Sequence, residues 1–303
     1  MSVNMQINLG GLVMKNPVTV ASGTFAAGFE YSDFVDVSKL GAVTTKGVSL
    51  NGWEGNPTPR IAEVSSGMIN SIGLQNPGVN HLKLMELGWL QSQNATVICN
   101  VSGHSFSEYV QVIEALEDAP VHAYEVNVSC PNVDAGGMAM GCNAKNVEKV
   151  TQMCREVTNR PLIIKLTPNV TSITDIALAA QAGGANAVSL INTVLGMAIN
   201  AKTRKPELAR VVGGLSGPCI KPIALRMVHE CYKALEIPIL GLGGISTGSD
   251  AVEFMLAGAT AVAVGTANFA NPTASFDVLC ELEDYCISNN VSDVNELIGA
   301  LEY

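Results

Sequence analysis

Polar side chains stand at the ends of several apolar runs, where enzymes often place reactive groups. Lys46, Asn100, Asn127, Cys130 and Lys165 each follow or close such a run. An ammonium can neutralise negative charge on a ligand, and an asparagine amide offers a donor and an acceptor to a polar ring. A thiol can exchange protons when its pKa lies near the working pH. Burying this set without a ligand would cost desolvation energy, so the pattern favours a functional site over isolated turn residues.

Cys130 lies in YEVNVSCPNV (124–133), and three roles are open to it: a buried apolar residue, a metal or disulfide ligand, or a catalytic group. The eight cysteines include no CxxC pair, and none has zinc-ligand spacing with a histidine. Iron–sulfur ligation requires tighter clusters. Cys99 and Cys280 lie in apolar patterns and are predicted to be inert buried thiols. The spacing therefore disfavours a metal role for Cys130.

A glycine-rich segment, GLGGISTGSDAVEFMLAGATAVAVGTA (241–267), is typical of a phosphate site. Gly243 and Gly244 allow the backbone to approach a ligand closely, and a helix is predicted to begin shortly after them. Gly265 and Thr266 repeat this arrangement after the next apolar run. In α/β barrels, the loops after the last two strands and a nearby helix N-terminus hold phosphate groups. Flavin mononucleotide (FMN) and phosphorylated sugars would both satisfy such a site.

Eight short runs rich in Val and Ile would position these groups. They cover residues 17–23, 41–47, 95–103, 123–130, 161–169, 185–193, 237–245 and 259–267. Continuous apolar runs are typical of parallel strands buried on both faces. Helical patterns lie between them, and one of these, SFSEYVQVIEALEDA, begins with a candidate serine cap. Eight strand–helix units predict an α/β fold, a (β/α)8 TIM barrel, with a doubly wound sheet as the alternative.

Three additions to a plain barrel are expected. Residues 47–95 and 193–236 are too long for simple connections, so we expect them at the C-terminal face, where barrel active sites lie. The stretch INLGGLVMKNP near the start predicts an N-terminal hairpin that covers the bottom of the barrel. No linker divides the chain, and we expect a single domain over residues 1–303.

The composition narrows the range of partners. The net charge of −10 argues against nucleic acid or an anionic membrane surface as the main partner. Apolar residues make up 48% of the chain and charged residues 15%, which is enough to bury a large core. No apolar stretch reaches the roughly 20 residues of a membrane span, and the first residues show no signal-peptide pattern. The expected location is the cytoplasm.

Four motifs together resemble the dihydroorotate dehydrogenase family: TTKG (44–47), NSIGLQNPG (70–78), NVSCPN (127–132) and the glycine-rich segment. The likeness runs from the N-terminal hairpin to the last barrel helix. It implies an FMN-dependent oxidation of (S)-dihydroorotate to orotate in de novo pyrimidine (UMP) biosynthesis. The family's membrane-bound class uses serine as its base and carries an N-terminal membrane-associating extension, so Cys130 is typical of the cytosolic class.

The segment NVSCPNVDAGGMAMG resembles the NAD+-linked 1B branch of that class. The alternative is the fumarate-linked 1A branch or another flavin-dependent pyrimidine oxidoreductase. Enzymes of the 1B branch pair this subunit with an electron-transfer subunit that holds FAD and a 2Fe–2S cluster. The resemblance therefore implies such a partner for this chain, and a homodimer of the chain within a heterotetramer.

The resemblance also assigns roles to individual residues, and it makes Cys130 the base. The residues implied to contact FMN are Ser22, Lys46, Gly47, Asn100, Asn127, Lys165, Ile191, Gly217, Gly243, Gly244, Gly265 and Thr266. The residues implied to contact the substrate are Lys46, Asn70, Ser71, Ile72, Gly73, Leu74, Asn127, Asn192 and Thr193.

Other functions of the same scaffold make different demands on the sequence. A phosphosugar lyase or isomerase would need the phosphate loops, but not the asparagines or Cys130. An enzyme that acts on tRNA is disfavoured by the charge of −10. A barrel that only binds a ligand or a partner would not need Lys46, Asn127, Cys130 and Lys165 together at one mouth.

Overall fold

Strands and helices alternate along most of the chain in the computed structural model, which describes residues 3–129 and 140–303. The strands are β1 (Ile7–Leu9), β2 (Leu12–Met14), β3 (Val18–Val20), β4 (Val43–Thr44), β5 (Ile61–Val64), β6 (Gly67–Asn70), β7 (Val97–Val101), β8 (Ala123–Asn127), β9 (Leu162–Lys165), β10 (Ala187–Leu190), β11 (Val194–Met197), β12 (Ile199–Asn200), β13 (Lys205–Pro206), β14 (Val212–Ser216), β15 (Ile239–Leu242) and β16 (Ala261–Val264). The α-helices are α1 (Ser22–Phe25), α2 (Val79–His81), α3 (Leu87–Ser92), α4 (Phe106–Leu116), α5 (Ala144–Glu156), α6 (Ile173–Ala182), α7 (Lys221–Ala234), α8 (Gly248–Leu256), α9 (Ala267–Ala270) and α10 (Ala274–Ser288). A π-helical segment (Leu82–Glu86) joins α2 to α3.

Eight parallel strands of the described chain form one sheet, in the order β3–β16–β15–β10–β9–β8–β7–β4. The two end strands meet, because the Gly41 N–H donates to the Val18 carbonyl at 2.9 Å. The hydroxyls of Thr19 and Thr44 also lie 3.2 Å apart across this seam. The sheet thereby curls into a nearly closed barrel. Each strand falls within one predicted run, so the barrel prediction is confirmed and the doubly wound alternative is wrong.

The barrel strands are buried along their length, since helices cover the outside and opposite strands cover the inside. Every residue of β8, β9 and β10 is buried. Valine and isoleucine suit such positions because their branched side chains pack well on a pleated surface. Glu125 on β8 and Lys165 on β9 are charged exceptions. A charge at such a position requires polar partners, and both residues have them at the barrel's C-terminal end.

Capping residues mark the start of the outer helices, and one of these caps was predicted from the sequence. Ser105 caps α4 by accepting a hydrogen bond from the Glu108 N–H, as its position predicted. Thr247 and Asp250 form a reciprocal capping box at the start of α8, which satisfies two backbone donors. The first unit is reduced, because β3 is followed only by the four-residue helix α1 and short 3-10 turns.

The two long insertions combine into one antiparallel sheet, in the order β11–β14–β6–β5. Strands β5 and β6 come from the first insertion, whereas β11 and β14 come from the second. Asn70 at the end of β6 lies opposite Gly214 of β14. A separate antiparallel hairpin, β12–β13, extends from the second insertion. The sequence predicted two decorations of the mouth but not their pairing.

The N-terminal hairpin covers the bottom of the barrel, as expected. Strands β1 and β2 pair antiparallel, and their inward side chains, such as Leu9 and Met14, are fully buried. Gly10 in the turn has a φ of +60°, and a Cβ there would lie 2.2 Å from the carbonyl oxygen of Asn186, just before β10. Glycine is required at this turn because of both its conformation and its close approach to the barrel.

Candidate active site

The C-terminal ends of the central strands bring the predicted polar residues together. Asn127 of β8 lies opposite Lys165 of β9, and Asn100 of β7 lies opposite Glu125 of β8. Asn100 is fully buried, while Asn127 and Lys165 are each 5% exposed. Parallel strands end at the same edge, so these side chains line one interior surface. The register of these strands therefore brings Asn100, Asn127 and Lys165 together, as predicted.

Lys165 is held inside the barrel by groups from two other strand ends. Its ammonium lies 3.8 Å from the Glu125 carboxylate and donates to the Ser22 hydroxyl at 3.5 Å. Ser22 begins α1, directly after the first barrel strand. An ion pair fixes the direction of a buried lysine more firmly than solvent would, because it loses little to screening. The arrangement fixes the buried Lys165 ammonium between Glu125 and Ser22.

Lys46 supplies a second cation, and no described carboxylate pairs with it. No ion pair in the described part of the chain includes its ammonium. Burial lowers the pKa of Lys46 below its ordinary 10.5, and the charges of Lys165 and Arg60 lower it further. Cations that repel one another at a partly buried position are stabilised when an anion binds between them. This region is therefore suited to a negatively charged ligand.

An unsatisfied acceptor faces the same space. The Oδ1 atom of Asn100 is buried and has no hydrogen-bond partner among the described residues, although its Nδ2 donates to Glu125. Gly47 lies beside it, and a Cβ at Gly47 would come within 2.6 Å of that Oδ1. A buried acceptor without a partner costs free energy, which a ligand N–H donor would recover. Gly47 leaves the space that such a ligand needs.

The predicted phosphate loops lie side by side and include the second insertion. Gly244 has a φ of +85°, and a Cβ there would lie 2.9 Å from both the Gly217 carbonyl oxygen and the Lys221 backbone nitrogen. A Cβ at Gly243 would lie 3.2 Å from the Ile191 side chain. Main chain packed this closely, and free of side chains, can present its N–H groups to an oxyanion. The loops after β10, β14 and β15 thus share one small region.

The loop after β16 reaches the same region through side chains. Thr266 donates from its hydroxyl to the Ser216 hydroxyl at 2.8 Å. Ser216 is the last residue of β14 and immediately precedes Gly217. Gly265 packs against Ala21 of the first strand end, where its Cβ would lie at 3.4 Å. The structure therefore brings Gly265 and Thr266 beside the other predicted phosphate residues.

The predicted substrate residues lie where the two insertions meet. Asn70 donates from Nδ2 to the Gly214 carbonyl at 3.3 Å. Thr193 packs against the same strand, because a Cβ on Gly214 would collide with the Thr193 hydroxyl. Asn192 accepts from the Thr193 N–H at 2.8 Å, which fixes the side-chain amide of Asn192. Asn70, Asn192 and Thr193 are thus gathered around one strand of the inserted sheet.

The rest of the NSIGL stretch continues from Asn70 toward the barrel. The Ser71 N–H donates to the Arg60 carbonyl, and the Ile72 carbonyl accepts from the Asn56 N–H. Gly73 packs against Asn56, and Leu74 approaches Gly47, where a Cβ would lie 3.6 Å from the leucine side chain. The Ser71 hydroxyl is buried and without a partner among the described residues. This stretch spans the distance from the inserted sheet to the Lys46 strand end.

Cys130 lies outside the described residues, as do the nine residues that follow it. The turn that leads to it is anchored at the mouth. The Ser129 N–H donates to Asn127 Oδ1 at 3.2 Å, and the Ser129 hydroxyl donates to the Lys165 carbonyl at 3.1 Å. The catalytic role of Cys130 stays a prediction.

Among the other cysteines, the predicted inert thiols divide into two cases. Cys99 is fully buried, and burial raises the pKa of its thiol to about 12, as expected for an inert group. Cys280 was wrongly predicted to be buried and is exposed. The reason is helix geometry, because Val278, Leu279 and Leu282 occupy the inner face of α10 and leave Cys280 on the outer face.

Sequence reasoning missed three residues of the site: Glu125, Ser189 and Arg60. Glu125 accepts hydrogen bonds from Asn100 and Ser189 and pairs with Lys165. The sequence did contain a signal for Glu125, which is the one carboxylate in an otherwise apolar predicted strand. A buried carboxylate requires polar partners, so its presence indicates a polar cluster inside the barrel. Arg60 gave no local signal, since only the folded first insertion brings its charge near Lys46.

Two further findings concern metals and membranes. Within residues 3–129 and 140–303, no group of three or more His, Cys, Asp or Glu side chains could hold a metal ion. The same part of the chain contains no helix that is long and apolar enough to cross a membrane.

Comparison with known proteins assigns this site to a family. The family model described as dihydroorotate dehydrogenase matches residues 4–285. A "Dihydroorotate dehydrogenase B (NAD(+)), catalytic subunit" from Alkaliphilus oremlandii (strain OhILAs) is 55% identical over 298 residues, covering 98% of this chain and 99% of the relative. The protein of the same description from Parabacteroides distasonis is 51% identical over 299 residues, covering 98% of each chain.

A solved structure supports the fold by itself. The crystal structure of DHODH in complex with ferulenol from Eimeria tenella matches with a TM-score of 0.82. It is 21% identical in sequence, and the match covers 98% of this chain and 88% of that chain. At 21% identity, this likeness shows a shared fold and nothing about individual residues.

Proposed function

Because the chain belongs to the dihydroorotate dehydrogenase family, we propose that residues 1–303 form a single FMN-binding domain in which Cys130 is the catalytic base. The activity is that of the B-type catalytic subunits, the NAD+-linked oxidation of dihydroorotate in pyrimidine synthesis. The fumarate-linked alternative is not supported, since the relatives at 50–55% identity carry the NAD+-linked description. The family implies a flavin, and FMN is the form we propose.

The observation that carries the proposal is a pair of groups without partners in the described part of the chain: the Lys46 ammonium, whose pKa the charge of Lys165 lowers, and the Asn100 Oδ1 atom. A flavin and an anionic pyrimidine would together supply negative charge and an N–H donor at this place. When bound, the flavin accepts the hydride from dihydroorotate. The residues proposed to hold it are Ser22, Lys46, Gly47, Asn100, Asn127, Lys165, Ile191, Gly217, Gly243, Gly244, Gly265 and Thr266.

Lys165 is proposed to stabilise the negative charge that develops on the reduced flavin. Its ammonium is preorganised by Glu125 and Ser22, so little rearrangement is needed as that charge appears. The close-packed main chain at Gly217 and Gly244 is proposed to receive the phosphate. Tight packing there excludes side chains and leaves backbone donors to bind oxygen atoms.

The substrate is proposed to lie between Lys46 and the meeting point of the two insertions. Asn70, Ser71, Ile72, Gly73 and Leu74 would contact it from one side, and Asn127, Asn192 and Thr193 from the other. Asparagine amides can donate to carbonyl oxygens and accept from ring N–H groups, which suits a cyclic diamide. The Lys46 ammonium would pair with the substrate's negative charge.

Cys130 is proposed to take the proton from C5 of dihydroorotate while the hydride leaves C6. A thiol with an ordinary pKa of about 8.5 is partly deprotonated near neutrality, and a positive charge beside a thiol favours the thiolate. The strand end that precedes Cys130 is tied to Asn127 and to the Lys165 carbonyl. Proton transfer to the thiolate requires no covalent intermediate.

The description "catalytic subunit" of the relatives implies a partner subunit. We propose that this partner carries FAD and a 2Fe–2S cluster and passes electrons to NAD+. We further propose that two copies of this chain form a homodimer within a heterotetramer. The proposal places the enzyme in the cytoplasm, as the resemblance to the cytosolic class implies.

Anaerobic reduction tests the proposal directly. The purified chain should be yellow, and extraction should release FMN in a ratio near one per chain. Addition of dihydroorotate without oxygen should bleach the flavin absorbance, and NAD+ should be reduced only after the partner subunit is added. A flavin-free protein, or a bound flavin that dihydroorotate does not reduce, would overturn the proposal.

A further inference from the structure

A carboxylate lies inside the barrel directly below the mouth. Glu125 is 1% exposed and sits on β8 two residues before Asn127, so the two side chains point to the same side of the strand. Its strand neighbours Tyr124 and Val126 point to the other side. The surface that Glu125 shares is therefore the one that lines the proposed flavin site.

Every polar atom of this carboxylate is engaged. Oε1 accepts from Asn100 Nδ2 at 2.5 Å and lies 3.8 Å from the Lys165 ammonium. Oε2 accepts from the Ser189 hydroxyl at 2.7 Å. Asn100, Lys165 and Ser189 come from three different barrel strands and are themselves buried. One side chain thus joins four strands beneath the site.

The pairing determines what Asn100 and Lys165 can present upward. Because Asn100 donates to Glu125 through Nδ2, its Oδ1 is turned away from the carboxylate and has no hydrogen-bond partner among residues 3–129 and 140–303. Lys165 likewise has one side occupied by Glu125 and another by Ser22. A carboxylate only accepts hydrogen bonds, so it selects the Nδ2 side of the Asn100 amide, and its charge attracts the Lys165 ammonium.

The charge of Glu125 also matters because of where it lies. Among the described residues, Lys165 is the cation within ion-pair distance of Glu125, and the exposed fraction of both side chains is small. In a buried site, each charge of such a pair strongly compensates the other. With Glu125 present, the charge of Lys165 is compensated, whereas Lys46 is in no ion pair with the described residues. Without Glu125, Lys165 would add a further uncompensated charge.

We propose that Glu125 is a positioning residue of the flavin site, which turns the Asn100 acceptor toward the flavin and offsets the Lys165 charge, so that it sets the flavin's reduction potential. The inference rests on the proposed function, because it requires a flavin at this mouth. Glu125 acts through Asn100 and Lys165 and is not proposed to touch the substrate. Its loss would leave an uncompensated ammonium beside the flavin, which favours the negatively charged reduced form.

The midpoint potential of the bound flavin tests this inference. Glu125→Gln keeps the size of the side chain and can still hydrogen-bond Asn100, but it removes the charge. We expect a positive shift of the potential, measured by anaerobic dye-equilibrated titration. Ser189→Ala, which removes a hydrogen bond to the same carboxylate without changing charge, should shift the potential much less. Equal potentials for Glu125→Gln and the wild type would overturn the inference.

A stability cycle covers the case in which Glu125→Gln loses its flavin. Glu125→Gln and Lys165→Gln should each lower the melting temperature of the protein, because each leaves one buried charge unpaired. The double variant should melt above both single variants, since it leaves neither charge. If the double variant loses the sum of the two single decreases in melting temperature, Glu125 and Lys165 are not coupled, and the inference fails.

The wild-type protein separates failure of this inference from failure of the proposed function. A wild-type chain that binds no flavin contradicts the proposed function. A wild-type chain whose flavin is bleached by dihydroorotate, together with an unshifted Glu125→Gln potential, contradicts only the role of Glu125.

Discussion

Asn70 and Gly214 join the two insertions of the barrel, although 144 positions separate them in the chain. The Asn70 side-chain amide donates to the Gly214 carbonyl at 3.3 Å, and the two residues also lie opposite each other in the strand register. Asn70 is therefore held by a strand from the second insertion while it belongs to the first. Asn70 depends on the pairing of the two insertions for its orientation.

Replacing Asn70 by alanine should weaken substrate binding more than flavin binding. Loss of the Asn70 side chain, which costs about 1 kcal/mol for one hydrogen bond, should raise KM for dihydroorotate roughly fivefold. Steady-state kinetics and the flavin content of the same preparation check this. Glu63→Gln, an exposed change on neighbouring β5, is the matched control and should leave KM unchanged. Unchanged KM in Asn70→Ala would remove Asn70 from the substrate site.

Replacing Cys130 by alanine should abolish most turnover while the flavin stays bound. General bases contribute about 10²–10⁴-fold to such rates, and a fall of that size is expected for flavin reduction by dihydroorotate. Stopped-flow absorbance under anaerobic conditions measures this step. Cys280→Ala is the control, since Cys280 is exposed on α10, and it should reduce at the wild-type rate. A wild-type rate in Cys130→Ala would exclude the base assignment.

The pH dependence of substrate binding should report Lys46. Burial, Lys165 and Arg60 lower its pKa below 10.5, so the ammonium is lost at a lower pH than for an exposed lysine. KM for the anionic substrate should therefore rise with pH as Lys46 loses its proton. Lys46→Met should have a high KM that no longer changes in this alkaline range.

Arg60→Gln offers an independent check on the same group. Removing the Arg60 charge removes one cause of the lowered pKa of Lys46, so the alkaline rise in KM should move to higher pH. Arg226→Gln, an exposed residue paired with Glu230 on α7, should leave the profile in place. If KM rises at the same pH in Arg60→Gln as in the wild type, a group other than Lys46 controls the rise.

Gly244→Ala should prevent flavin retention. The added Cβ would lie 2.9 Å from both the Gly217 carbonyl oxygen and the Lys221 backbone nitrogen. Gly244 also has a φ of +85°, which alanine rarely adopts. We expect a colourless or weakly coloured protein with a lowered melting temperature. Gly88→Ala has nothing within 4 Å of the new Cβ and lies inside α3, so it should be neutral or stabilising by up to ~1 kcal/mol.

Asp250 should contribute to stability in a pH-dependent way. Burial opposes its ionisation, but hydrogen bonds from Lys221, Ser246 and Thr247 outweigh this and hold its pKa below the ordinary 3.8. Its contribution is present above the unfolded-state pKa and is lost as pH falls through the lower folded-state value. Asp250→Asn should lower the free energy of unfolding by about 1 kcal/mol at neutral pH and flatten this acid limb. Urea titrations at several pH values measure both effects.

The periodicity of the chain determined the barrel. Eight Val- and Ile-rich runs correspond to the eight barrel strands, because a strand buried on both faces must be apolar along its length. The polar residues that close these runs, such as Asn100, Asn127 and Lys165, meet at one end for the same reason. The glycine motifs likewise indicated the close-packed loops. These features depend on local sequence and on a rule of parallel sheets.

Only the tertiary structure decided how distant segments combine at the site. The pairing of β6 with β14, which places Asn70 against Gly214, depends on two insertions whose sequences carry no mutual signal. The folded first insertion brings the charge of Arg60 near Lys46, and Glu125 of β8 accepts from Ser189 of β10 on the far side of β9. Local propensity cannot encode such contacts, because their energies exist only after chain closure brings the partners together.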